Sequence, residues 1–156
     1  ESRQMSTSID IQQETQAVTR LADLLEQEQN HLIHADLDQM QSLLEEKSRL
    51  LQTIAQSSQQ RYRSLSSAGF DANENGMADW LKQQSKQAMQ TAWLTMQQTL
   101  VKVKELNRIN GLLIQKHITR NQQLLNVLQG QNEAGHFYGP NGHATSSVRM
   151  RGAIVG

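Results

Sequence analysis

The sequence predicts an all-α protein: a long antiparallel helical hairpin, or coiled-coil bundle, followed by a flexible C-terminal tail. Three observations carry this. The 23 glutamines stand beside many Leu, Ala, Lys and Glu, side chains that mostly lose little rotamer freedom in a helix. The helix breakers are segregated: residues 1–68 contain neither Gly nor Pro, residues 77–129 contain only Gly111, and six of the nine glycines, with Pro140, lie at 130 and beyond. Apolar residues between the breakers recur at steps of three and four, the helical period.

The 156 residues suit one domain, placed at 1–129 with a tail at 130–156. In the first arm Val18, Leu21, Leu25, Leu32 and Ala35 form one apolar seam. After Asp36 the register slips, and Leu37, Met40, Leu44, Leu51 and Ile54 carry a new seam onward to Tyr62 and Leu65. Such a slip fits a stutter within a continuous helix or a break with Asp36 as N-cap and Gln39 closing a capping box. A bend is the favoured expectation, because no Gly or Pro supplies a reversal.

The connector runs from Ser66 to Gly76. Gly69 is placed for a left-handed helix ending, and Asp71, Asn73 and Asn75 are candidate caps for the next helix. The second arm extends from about Met77 to Gln129. Its seam is Met89, Trp93, Met96, Leu100, Val103, Asn107, Asn110, Ile114, His117, Asn121, Leu124 and Leu128, alternating by four and three. Charge supports pairing of the arms. Residues 1–68 hold ten acidic and six basic side chains, net −4, whereas residues 77–129 hold two acidic and seven basic, net +5. Exposed pairs are individually weak, so apolar burial must supply most of the stability.

Several function classes lose support. Without cysteine there is no disulfide scaffold and no thiolate metal site. No apolar run approaches the ~20 residues that span a bilayer, so a soluble cytoplasmic protein is expected. The basic residues of the second arm (Lys82, Lys86, Lys102, Lys104, Arg108, Lys116, Arg120) lack interleaved aromatics for stacking nucleic-acid bases. Glu28 and His31 form one Glu-x-x-His step, but a di-iron bundle needs two such steps and two further glutamates. No phosphate loop, nucleophile arrangement or paired acid and base is present. An enzyme, a cofactor and a metal are not expected.

The polar middle of the second seam is the informative anomaly. Asn107, Asn110, His117 and Asn121 take positions that a maximally stable coiled coil fills with Leu or Ile. Polar seam residues fix register at some cost in stability, and Gly111 weakens the helix by a further ~0.8–1.0 kcal/mol relative to Ala. Two uses follow: register control inside the hairpin, or an adaptable stretch on which another helix lies. Met77, Met89 and Met96 suit an adaptable surface. An exposed apolar strip also favours self-association, so a homodimer free of cargo is among the expected states. A structural coiled-coil adaptor is the competing reading.

At these residues the sequence resembles the flagellar export chaperone family typified by FlgN. The resemblance rests on Leu21-Ala22-Asp23-Leu24-Leu25-Glu26-Gln27-Glu28, on Asp36 through Leu51 with Leu43-Leu44, Lys47 and Leu50-Leu51, and on Trp80-Leu81. It continues at Asn107-Arg108-Ile109-Asn110-Gly111-Leu112-Leu113-Ile114 and closes at Tyr138-Gly139 and Gly142. It implies a cytoplasmic helical chaperone that holds the amphipathic C-terminal segments of hook–filament junction (hook-associated) proteins and delivers them to the type III export apparatus. Cargo contact in the family's C-terminal half maps here to Asn107, Asn110, Gly111, Leu113, Ile114, Ile118, Leu124, Leu125 and Leu128. Docking on the export gate protein FlhA maps to Phe137 and Tyr138.

Overall fold

The computed structural model describes residues 9–133. Four helices follow one another: α1 (Gln12–Ile33), α2 (Met40–Ser67), α3 (Glu74–Lys82) and α4 (Gln87–Glu133). No strand occurs among the described residues, so the all-α class is observed. The chain divides into two units, Glu1–Asn110 and Gly111–Gly156, and α4 belongs to both.

In the first unit the expected bend is a full reversal. Glu14 of α1 pairs with Arg61 of α2, and Glu28 with Lys47, so the two helices run antiparallel. The turn needs no glycine because Ala35 itself takes the left-handed conformation, with φ 53°. Around it the Asp36 amide donates to the His31 carbonyl at 2.9 Å, and the Ala35 amide to the Leu32 carbonyl at 3.3 Å. That pattern is a Schellman closure. A non-glycine residue in this conformation costs about 1–2 kcal/mol, which the close packing of α1 against α2 offsets.

The second arm is also divided, at residues 83–86. Gly69, with φ +88°, ends α2 in a second Schellman closure, with the Phe70 amide donating to the Leu65 carbonyl at 2.9 Å. Asn73 caps α3, its Oδ1 accepting from the Gly76 amide at 2.8 Å. Gly76 is required by closeness: a Cβ there would lie 1.8 Å from the Asp71 carbonyl oxygen. Past α3, Gln90 reaches back and donates to the Leu81 carbonyl at 3.1 Å, satisfying a helix-end acceptor.

Helix α1 buries Ala17, Val18, Leu21, Ala22, Leu24, Leu25 and Leu32. Thr15, Glu26 and Leu25 meet Met96, Lys102 and Asn110 of α4, so the first half of α4 runs parallel to α1. A separate cluster at the connector end joins Ile9, Ile11, Leu65, Met77, Trp80 and Leu81.

One buried cation ties this end together. Arg61 donates to Glu14 Oε1 at 2.9 Å and to Glu74 Oε1 at 3.1 Å, while its guanidinium lies 4.9 Å from the Tyr62 ring centre and 4.6 Å from that of Trp93. Burial opposes its charge, but hydrogen bonding and attraction from Glu14 and Glu74 outweigh burial and raise its pKa. Tyr62 donates to the same Glu74 oxygen at 2.6 Å, and that bond is the main reason its pKa is raised.

Candidate functional site

The seam of α4 in the first unit is anchored by Met96 and Asn110, both buried, with Met89, Trp93, Leu100 and Val103 half-buried. Asn110, only 1% exposed, donates through Nδ2 to the Leu25 carbonyl at 2.9 Å and to Glu28 Oε1 at 3.0 Å. Glu28 is itself fully enclosed, with Lys47 Nζ 3.8 Å from its other oxygen. That separation is an ion pair but too long for a hydrogen bond. Lys47 instead donates to Asn107 Oδ1 at 2.9 Å. The four polar side chains thus bridge α1, α2 and α4.

This network places two of the expected contact residues. Asn110 is turned inward, its amide taken up by α1, and it sets the register of the first unit. Asn107 is exposed and linked to α2 through Lys47. Glu28 and Lys47 were the members that periodicity alone did not reveal as partners. Their signal was a charged residue falling on the buried face of each helix.

The remaining expected contacts lie on α4 in the second unit. Leu113, Ile114 and Ile118 are half-buried, whereas Leu124, Leu125 and Leu128 are exposed. Leu124 is 56% and Leu128 57% accessible, values far above those of a core leucine. At 100° per residue, Ile114, Ile118, Leu124, Leu125 and Leu128 fall within an arc of about 120°, one face of the helix. From Ile114 to Leu128 the strip is ~21 Å long. Leu112 and Val127 are also exposed, on the side away from that arc. Gly111 lies within the helix, and among the described residues a Cβ there would meet nothing within 4 Å, so no described backbone requires its missing side chain. Phe137 and Tyr138 lie outside the described residues.

An apolar strip ~21 Å long, interrupted at Asn121 and half of it open to solvent, has the dimensions of a landing surface for a partner helix. Among the described residues no group of three or more His, Cys, Asp or Glu is gathered to hold a metal ion. Glu28 faces Asn110 and Lys47, while His31 sits 3.4 Å from Asp36. No described helix is long and apolar enough to cross a membrane.

Comparison with known proteins gives this geometry a family. The family model described as FlgN protein matches residues 10–146. The chain belongs to the FlgN family. It is 30% identical over 141 residues to the flagella synthesis protein FlgN of Salmonella typhimurium, covering 89% of this chain and 90% of that protein. The Salmonella typhi protein of that name gives the same figures. The Proteus mirabilis flagella synthesis protein FlgN is 28% identical over 130 residues, 82% of each chain. No solved structure matches significantly. Membership gives the chain a general role as a chaperone-type protein of flagellum synthesis, in a family not known for enzymes.

Proposed function

We propose that this FlgN-family chain is a cytoplasmic type III export chaperone that binds the amphipathic C-terminal segments of hook-associated junction proteins and delivers them to the export apparatus. The observation that carries this reading is the accessibility of Leu124, Leu125 and Leu128 along one face of α4. Apolar side chains aligned at helical spacing suit a guest helix anchored at i, i+3, i+4 and i+7. A carrier must also release its guest, and a strip interrupted by Asn121 binds less tightly than an all-Leu seam. Tyr138, with Phe137, is assigned to the export gate protein FlhA on family likeness alone.

The test is co-purification of a hook-associated subunit with wild-type chain, with Leu125→Asp, and with a chain ending at Gln129. Loss of the subunit from Leu125→Asp, with helical content by circular dichroism unchanged, supports the reading. The shortened chain is expected to keep the subunit and lose FlhA. Retention of the subunit by Leu125→Asp contradicts the assigned surface. Loss of partner and fold together shows Leu125 to be core.

A further inference from the structure

We propose that Asn110 is a latent deamidation site, kept silent by the folded chain and exposed when α4 opens there, and that the product prevents α4 from closing again. The inference concerns the packing of the first unit and stands apart from the chaperone reading.

Asn-Gly is the dipeptide in which this reaction is easiest, because glycine has no Cβ to crowd its own amide nitrogen. The sequence holds three such pairs, Asn75-Gly76, Asn110-Gly111 and Asn141-Gly142. The Gly111 nitrogen attacks Cγ of Asn110. A C–N bond forms, the Cγ–Nδ2 bond breaks, and Nδ2 leaves as ammonia with the proton that the Gly111 amide gives up. Water then opens the cyclic imide at either carbonyl and yields aspartate or isoaspartate. Water is the only other reactant.

The fold blocks the first step twice. Gly111 lies inside α4, so its amide is held in the helical ladder and is not free to attack. The Asn110 side chain is enclosed, and its Nδ2 donates to the Leu25 carbonyl and to Glu28 Oε1, bonds that cyclisation must break. Reaction therefore waits for local opening of α4, which a folded chain visits only as a minor state.

The product then fails to fit. Either acid lacks the Nδ2 donor, so the Leu25 carbonyl and Glu28 Oε1 both lose that bond. It also brings a second carboxylate against Glu28, which is fully enclosed, and like charges in such a place are strongly unfavourable. Isoaspartate further adds a backbone methylene, which shifts the register of α4. Gly76 is demanded by its close approach to Asp71, whereas among the described residues nothing crowds the Cβ position of Gly111.

The test is incubation of the full chain in mildly alkaline buffer, with and without guanidinium chloride, followed by peptide mass spectrometry at Asn110. Deamidation in native buffer is expected to be at least about tenfold slower than in denaturant, a ratio that converts to about 1.4 kcal/mol of opening free energy. Gly111→Ala should slow the reaction in denaturant. Asn110→Asp, which carries one of the two products, should show faster hydrogen exchange in α4 around position 110 than the wild-type chain. A native rate within tenfold of the denatured one overturns the proposal, as does an Asn110 that stays intact in denaturant. Wild-type exchange protection in Asn110→Asp overturns the claim that the product bars closure.

Discussion

Asn110 donates to Glu28 at 3.0 Å with both side chains closed to solvent. Lys47 stands 3.8 Å from the second carboxylate oxygen, which accepts no hydrogen bond among the described residues. A buried carboxylate held this way punishes loss of either partner more than it rewards their presence.

Asn110→Leu is therefore expected to destabilise the chain by about 2–3 kcal/mol in urea unfolding, because Glu28 loses its buried donor. The double replacement Asn110→Leu with Glu28→Leu should recover most of that loss, since removing both polar partners together is nearly neutral. A double variant as unstable as the sum of the singles would show that the pair is not coupled.

Ala35 offers the opposite sign. Relief of its left-handed strain, less the extra freedom glycine gives the unfolded chain, predicts that Ala35→Gly stabilises by about 0.5–1 kcal/mol. Gly69→Ala should destabilise by about 1 kcal/mol for the same reason. Thermal melts of both variants decide whether the two closures behave alike.

Arg61→Ala leaves Glu14 buried without its cation and removes the plane between Tyr62 and Trp93. The expected loss is about 3–5 kcal/mol, read by denaturant titration. A loss below 1 kcal/mol would show that water replaces the guanidinium freely.

Tyr62 predicts a pH dependence. Its pKa is raised, chiefly by donation to Glu74, so its protonated form is favoured in the folded state. The contribution is complete below the ordinary tyrosine value of about 10 and fades as pH rises through the higher folded value. Tyr62→Phe should remove about 0.5–1.5 kcal/mol at neutral pH and flatten the alkaline decline, with stability measured from pH 8 upward.

The helices were legible where apolar period and breakers agreed. Gly69 and Asn73 announced the end of α2 and the start of α3, and Met96 fell on the buried face as spacing required. The α1–α2 reversal was hidden because Ala35 does by strain what glycine usually does freely. At Leu44, Leu51 and Tyr62 the expected seam of α2 stood one position off the inward face for another reason, whereas Ile54 and Leu65 fell on it. Its inward face runs through Leu43, Lys47, Leu50, Ile54, Arg61 and Leu65, and two of these are cations that a search for apolar residues passes over. Leu37, Leu44 and Leu51 are exposed instead. The break at 83–86 carried no Gly or Pro, being closed by the Gln90 side chain. On α4, spacing marked a strip but did not distinguish Asn110, which faces inward, from Leu124, which faces solvent.

Ile9 and Ile11 are buried against residues of α2 and α3, so the start of the described chain acts as a latch on its connector. Joining positions so distant along the sequence requires closing a large loop, a step that slows assembly. Trimming or tagging immediately ahead of Asp10 should therefore loosen the connector before it disturbs the α1–α2 pair, and hydrogen exchange would register the opening first around Met77 and Trp80.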